Sequence, residues 1–238
     1  MAVKTRPTEL MMRRSIDMSN VYQIAIDGPS GSGKSTLAKG AAQKLGIMYL
    51  DTGAMYRTCG LCAMKSGIEP KDTEAVAKML ETMDLDIKFA DGVQHMILNG
   101  EDVTGSIRTP EVSRAASDIS SLPIVRTAMV DMQRKIAANQ SFVVDGRDIG
   151  SVVLPNAKYK FFLTASAEAR AERRFLELQE KGTPQPLDEV LKDIIWRDKQ
   201  DSERAASPLV KVDDAIEIDT STIGIEETLE TLLGYIKE

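Results

Sequence analysis

Residues Gly28-Pro29-Ser30-Gly31-Ser32-Gly33-Lys34-Ser35-Thr36 lie between the apolar run Val21–Ile26 and an Ala- and Leu-rich segment. A strand, a glycine-rich loop ending in Lys-Ser and then a helix is the order a phosphate-binding P-loop demands. Such a loop turns successive backbone N–H groups inward onto phosphate oxygens, and the helix that starts near Lys34 adds the positive end of its dipole. Lys34 then reaches the β- and γ-phosphates, while the Ser35 hydroxyl can ligate Mg²⁺. A plain glycine turn closing a strand-helix joint is the competing reading. The full spacing, the Lys-Ser pair and both flanks favour a nucleoside triphosphate site, with Gly28, Ser30, Gly31, Ser32, Gly33, Lys34, Ser35 and Thr36 as its contacts.

The P-loop pattern needs an α/β frame, and 238 residues suffice for one such domain. Short apolar runs recur at Val21–Ile26, Ile47–Leu50, Phe142–Val144, Tyr159–Leu163 and Ala215–Ile218, each flanked by longer helix-compatible segments. Buried parallel strands with helical crossovers give this pattern. The expected fold is a three-layer sandwich on a five-stranded parallel sheet, with its ligand at the carboxyl ends of the strands. One stretch breaks the alternation. Asp86–Ala90, Val93–Leu98 and Glu101–Val103 are separated by Asp91-Gly92 and Asn99-Gly100, two strong hairpin signals that predict a small antiparallel insert. Gly182-Thr183-Pro184-Gln185-Pro186 predicts a break between two helices.

With 30 basic and 36 acidic side chains the net charge is -6, so no global positive field exists to hold nucleic acid and any anion site is local. No apolar run approaches the roughly 20 residues of a membrane span. A cytoplasmic monomer is expected. Cys59 and Cys62 are the only cysteines and His95 the only histidine, so the lone C-x-x-C is read as reduced packing residues rather than a redox or zinc site. Residues 1–18 lack the apolar region of a secretory signal and are expected to be a disordered tail. A single folded domain is assigned to residues 19–238.

Three further segments fall at strand ends or on one helix face. Asp145-Gly146-Arg147-Asp148-Ile149-Gly150 follows the third apolar strand of the sheet, and Asp145 at its tip is suited to the Mg²⁺ shell, directly or through water. A tight polar turn would have the same composition. Arg57 follows Asp51-Thr52 by about one helical turn. Arg170, Arg173 and Arg174 share a helix face at i, i+3 and i+4. They predict either a mobile lid that carries guanidinium groups over the triphosphate or a solvated face balanced by Glu172 and Glu177. On the helix expected over Leu187–Arg204, Val190, Ile194, Arg197, Asp201 and Arg204 form one stripe. A stripe that begins apolar and ends Arg-Asp-Arg predicts a helix running from the core into a polar crevice, with a surface ion pair as the alternative.

Taken together, Ile26–Ser35, Leu50-Asp51-Thr52-Gly53-Ala54-Met55-Tyr56-Arg57, Asp145–Gly150, and Arg197-Asp198 with Asp201 and Arg204 resemble the bacterial cytidylate kinases, nucleoside monophosphate kinases of the P-loop class. The resemblance runs from about Val21 to the C-terminus. It implies transfer of the γ-phosphoryl of ATP to CMP and dCMP, with Mg²⁺ as cofactor and UMP a poor substrate. It also implies a monophosphate-binding insert over about 52–126 and a lid over about 166–185. By position, Thr52, Ser117, Arg126 and Asp148 resemble the cytosine-recognition set, and Arg57, Arg147 and Arg204 the clamp on the CMP phosphate, with Arg108 fitting that clamp more loosely. Arg197 resembles the group at the transferring phosphates and Asp201 the group at the ribose hydroxyls. Lys34, Arg147, Arg197 and Asp201 are thus the expected catalytic residues, and Arg170, Arg173 and Arg174 expected ATP contacts.

Positioning and charge stabilisation suffice for this chemistry, because the acceptor is already an anionic phosphate. Two rivals stay open at this point: a regulatory nucleotide switch, although no Asn-Lys-x-Asp guanine motif is present, and a P-loop kinase for another small acceptor.

Overall fold

The computed structural model describes residues 21–90 and 92–236; the expected tail over residues 1–18 lies outside them, as does Asp91. In chain order the elements are β1 (Gln23–Asp27), α1 (Lys34–Leu45), β2 (Met48–Asp51), α2 (Thr52–Lys65), α3 (Thr73–Thr82), β3 (Leu85–Ala90), β4 (Val93–Leu98) and β5 (Glu101–Asp102). There follow α4 (Pro110–Ile119), α5 (Pro123–Ala137), β6 (Phe142–Gly146), β7 (Tyr159–Thr164), α6 (Ala167–Glu180), α7 (Leu187–Glu203), β8 (Ile216–Asp219) and α8 (Ile225–Tyr235). A 3₁₀ turn at Ser106–Arg108 and a wide turn at Ile149–Val153 complete the described structure.

Five strands form one parallel sheet in the order β2-β6-β1-β7-β8, and β3, β4 and β5 form a separate antiparallel sheet. The five apolar runs thus become the five strands of the α/β frame, and the two hairpin signals become the meander. β1 pairs with β7 from Ile24↔Tyr159 to Asp27↔Phe162, and β7 with β8 from Phe161↔Ile216 to Thr164↔Asp219. Ile24, Ala25 and Ile26 of β1 are fully buried, as are Phe142, Val143 and Val144 of β6. Strands covered on both faces read as unbroken apolar runs, which is why periodicity of two is missing from them.

The chain packs as two compact units, one built on Met48–Phe142 and one on Gln23–Ile47 with Val143 onward. In the first, Asp51 caps α2 by accepting from the Ala54 N–H at 2.8 Å. A Cβ at Gly60 of α2 would lie 2.8 Å from the Ala116 nitrogen of α4, so glycine here lets the two backbones touch. β3 and β4 pair from Leu85↔Leu98 to Ala90↔Val93. The β4-β5 turn has Asn99 and Gly100 both at positive φ, as a two-residue hairpin turn requires. Both cysteines are buried free thiols in α2. Burial first, then neighbouring Cys62, pushes Cys59 up to about 12, which makes it a packing residue without nucleophilic character.

In the second unit, Ala171 and Leu178 of α6 pack against Val190 and Ile194 of α7. No helix among the described residues is long and apolar enough to cross a membrane.

Candidate functional site

Within the unit built on Gln23–Ile47 and Val143 onward, β1 delivers the chain into the loop at Gly28, whose φ of 149° is closed to other residues. A Cβ there would sit 2.0 Å from the Leu163 carbonyl oxygen. Gly33, at φ 88°, begins α1 with no side-chain cap. The leading N–H groups of α1 are therefore left without a side-chain acceptor, which is the condition an incoming phosphate exploits.

Lys34 is buried and folds back on its own loop, donating to the Pro29 carbonyl at 2.6 Å and to Ser32 Oγ at 3.3 Å. Burial, then repulsion from Arg147, lowers its ammonium to about 7, against the pull of Asp145, Asp201 and Asp27. Ser35 Oγ donates to Asp145 Oδ2 at 2.8 Å. A hydroxyl paired with a buried carboxylate at a strand tip is the donor set that holds Mg²⁺ in P-loop enzymes. Among the described residues no group of three or more His, Cys, Asp or Glu side chains forms a metal cage. Mg²⁺ characteristically takes one or two protein ligands and completes its shell with water and phosphate.

Arg147 Nε donates to Asp201 Oδ2 at 2.7 Å. Asp201 also faces Arg204 Nη1 at 3.6 Å, and Arg204 Nη2 faces Asp148 Oδ1 at 3.9 Å. Cation and anion thus alternate along Arg147, Asp201, Arg204 and Asp148. Burial alone would raise the Asp201 carboxyl, but Arg147 and Arg204 hold it below the usual carboxylate range. Arg197 pairs with Asp193 at 2.9 Å. Burial, then Arg174 and Arg147 against Asp193, lowers its guanidinium, so this side chain is held where cations already crowd. α7 ends at Glu203, and Arg204 is extended at φ -62° and ψ 138°. The expected helical stripe therefore stops one residue short, yet Arg204 still turns back to Asp201.

Asp27 is buried and its carboxylate accepts from the Ile149 N–H at 2.8 Å and the Gly150 N–H at 2.7 Å. Burial raises it to about 6 in spite of these two bonds, with Asp148 adding to the rise and Lys34 opposing it.

Each of the three α6 arginines has a bonded partner. Arg170 makes a bidentate pair with Asp198 at 2.9 and 2.6 Å, and its Nη1 also donates to the Ser30 carbonyl at 3.1 Å. Arg173 donates to the carbonyl and hydroxyl oxygens of Thr220, whose own hydroxyl donates to the Ser32 carbonyl at 3.2 Å. Arg174 pairs with Glu177 at 2.8 Å. Arg170 therefore bears on a P-loop carbonyl directly, and Arg173 only through Thr220.

In the unit built on Met48–Phe142, Asp51 accepts from Arg57 Nη2 at 2.8 Å and Arg108 Nη2 at 3.3 Å. Burial would raise its carboxyl, but Arg57 and Arg108, with the Ala54 N–H, pull it below its ordinary value. Gln94 of β4 brackets the Asp51 peptide, accepting from its N–H at 2.7 Å and donating to its carbonyl at 3.2 Å. Thr52 is buried at the start of α2. Ser117 is half-buried on α4, where its carbonyl accepts from Ser120 Oγ at 2.9 Å. Arg126 is buried with its guanidinium 5.5 Å above the Tyr56 ring. Thr52, Arg57, Ser117 and Arg126 thus belong to this unit, and Lys34, Ser35, Asp145, Arg147, Asp148, Arg197, Asp201 and Arg204 to the other.

Sequence reasoning gave no role to Asp27, Asp51, Gln94 or Asp198. The available signal was position: Asp27 and Asp51 each close a strand immediately before a motif, and Asp198 follows Arg197.

A family model described as cytidylate kinase matches residues 24–238. The cytidylate kinase of Thermosipho melanesiensis is 52% identical over 91% of this chain and 97% of that protein. The cytidylate kinase of Caldicellulosiruptor bescii is 49% identical over 88% of this chain and 93% of its own length. Among solved structures, an uncharacterized protein from Eubacterium ventriosum matches with a TM-score of 0.50 at 14% identity, covering 90% of this chain and 98% of that one; this likeness concerns the fold alone.

Proposed function

The chain belongs to the cytidylate kinase family, and from that premise we propose that it transfers the γ-phosphoryl group of ATP to CMP and dCMP. A phosphate oxygen of the acceptor attacks the γ-phosphorus in line, the bond to the β-γ bridging oxygen breaks, and ADP leaves with that oxygen. The acceptor is anionic, so no protein base is required.

The observation that carries this reading is the alternating lattice Arg147, Asp201, Arg204 and Asp148 in the same unit as Lys34 and Ser35. Guanidinium groups oriented by carboxylates are preorganised for a phosphate-bearing acceptor and do not need to reorganise as charge moves in the transition state. Lys34 and Arg197 neutralise the transferring phosphates, Arg57, Arg147 and Arg204 clamp the acceptor phosphate, and Asp201 accepts from the ribose hydroxyls. Thr52, Ser117, Arg126 and Asp148 read cytosine, with Asp148 as an acceptor for the exocyclic amino group. Ser35, with Asp145 acting through water, would hold Mg²⁺. When bound, that ion neutralises charge on the β- and γ-phosphate oxygens.

Arg170 serves ATP through the Ser30 carbonyl it supports and Arg173 through Thr220, and Arg174 is the α6 arginine suited to reach the nucleotide. The segment Ser166–Gln185 acts as a lid that excludes water, so that phosphate passes to CMP rather than to solvent. The enzyme works as a monomer.

A coupled assay of ADP release with CMP, dCMP, UMP and AMP tests the proposal. CMP and dCMP should be turned over well and UMP poorly. Preference for AMP, or ADP release independent of any acceptor, would overturn it.

A further inference from the structure

The turn Ile149–Val153 begins after Asp148, the residue at its N-cap position. An aspartate at that position ordinarily bonds the leading N–H groups of its own turn. Asp148 makes no capping bond here, and its carboxylate is directed to Arg204. The two leading N–H groups, of Ile149 and Gly150, are taken instead by Asp27, which reaches across from the end of β1 with both oxygens. The Val152 and Val153 N–H groups close the turn on the Asp148 carbonyl at 2.9 and 3.1 Å. The peptide between Asp148 and Ile149 is thereby held at both its carbonyl and its N–H.

We propose that Asp27 is a positioning residue for base selection: by capping the Ile149–Val153 turn in place of Asp148, it leaves the Asp148 carboxylate to read the cytosine amino group. The inference rests on the assignment of Asp148 to cytosine. It also couples the two substrates' loops, because Asp27 is the last residue of β1 and the P-loop begins at the next residue, Gly28. Opposed charges act on the same group, Lys34 attracting the Asp27 carboxylate and Asp148 repelling it. The groups acting on Asp27 are Lys34 from α1 and Asp148 from the turn it caps, and Asp27 in turn acts on Arg147.

Asp27→Asn keeps the shape but sets an amide N–H₂ against one of the two backbone donors, which must then shift or lose its partner. The variant should raise KM for CMP by about tenfold, the scale of one unpaired buried hydrogen bond. It should lower the CMP-to-UMP ratio of kcat/KM and leave KM for ATP little changed. A loss of fold stability alone would move the melting temperature and leave that ratio intact.

Asp27→Glu provides a second perturbation of the same contact, since it keeps the carboxylate but lengthens a buried side chain by one methylene. It should shift the ratio in the same direction. A wild-type CMP-to-UMP ratio in Asp27→Asn, or in Asp27→Glu should Asp27→Asn not fold, overturns the proposal. Asp148→Asn is measured alongside. If it lowers the ratio while Asp27→Asn does not, only the positioning role fails; if Asp148→Asn leaves the ratio unchanged, the base-reading assignment falls and this inference with it.

Discussion

Arg147 Nε and Asp201 Oδ2 meet at 2.7 Å, joining the loop after β6 to the end of α7 across 54 residues of chain. Both side chains are largely buried, at 27% and 13% exposure. A carboxylate placed among arginines proposed to clamp a phosphate is unfavourable for anion binding unless it orients them or accepts from sugar hydroxyls. Asp201→Ala removes the partner of Arg147 and Arg204 together, so kcat/KM for CMP should fall at least tenfold while ATP affinity stays near wild type. Kinetics paired with a thermal melt check this: a surface ion pair would cost at most about 1 kcal/mol of stability and nothing in rate.

Lys34 titrates near neutrality before nucleotide arrives. Triphosphate stabilises its charged form, so the lysine pKa rises on binding and ATP association above pH 7 takes up a proton. Affinity should weaken as pH rises from 7 to 9. Calorimetry at pH 8 in two buffers of different ionisation enthalpy should show uptake of a fraction of a proton, absent in Lys34→Ala. The same variant should lose about three orders of magnitude in kcat, as with other electrostatic donors, with a smaller change in KM for ATP. Equal heats in the two buffers would contradict the linkage.

Asp198 holds Arg170 by two bonds, and Arg170 holds the Ser30 carbonyl. Asp198→Ala leaves a guanidinium that is 5% exposed without its counter-charge. A cost of about 3 kcal/mol is expected, with a raised KM for ATP and little effect on discrimination between CMP and UMP. Chemical denaturation and the two KM values separate this outcome from a purely local one.

Gly60→Ala inserts a methyl 2.8 Å from the Ala116 backbone nitrogen. Because the obstacle is main chain, α2 and α4 must separate, at about 1–3 kcal/mol. Since α4 carries Ser117, KM for CMP should rise along with the loss in melting temperature. A stable variant with unchanged KM would show that the helices part without moving Ser117.

Much of the fold was legible because its signals are local. The buried strands appear as apolar runs, Asn99-Gly100 specifies a hairpin within two residues, and the P-loop glycines mark positions where only glycine's backbone fits. The stripe Val190, Ile194, Arg197 and Asp201 was readable from helical spacing alone, up to Arg204, where the backbone turns extended. Contacts that join distant segments left no such trace. Asp27 meets Ile149 across 122 residues and Arg108 meets Asp51 across 57, and no periodicity encodes either. The spacing of Arg170, Arg173 and Arg174 placed them on one face but did not identify what that face met. Arg170 and Arg173 proved to serve the Ser30 carbonyl and Thr220.

Helix α7 has one end sealed in oil and the other set among charges. Val190 and Ile194 are locked against Ala171 and Leu178 of α6, and Asp201 lies about 10 Å beyond Ile194 along the same rod at roughly 1.5 Å per residue. A well-packed apolar joint does not slide freely, so a tilt of α6 turns α7 as a lever and sweeps Arg197 and Asp201 through an arc. Under the lid role proposed for Ser166–Gln185, covering the nucleotide and aiming Arg197 would then be a single mechanical stroke.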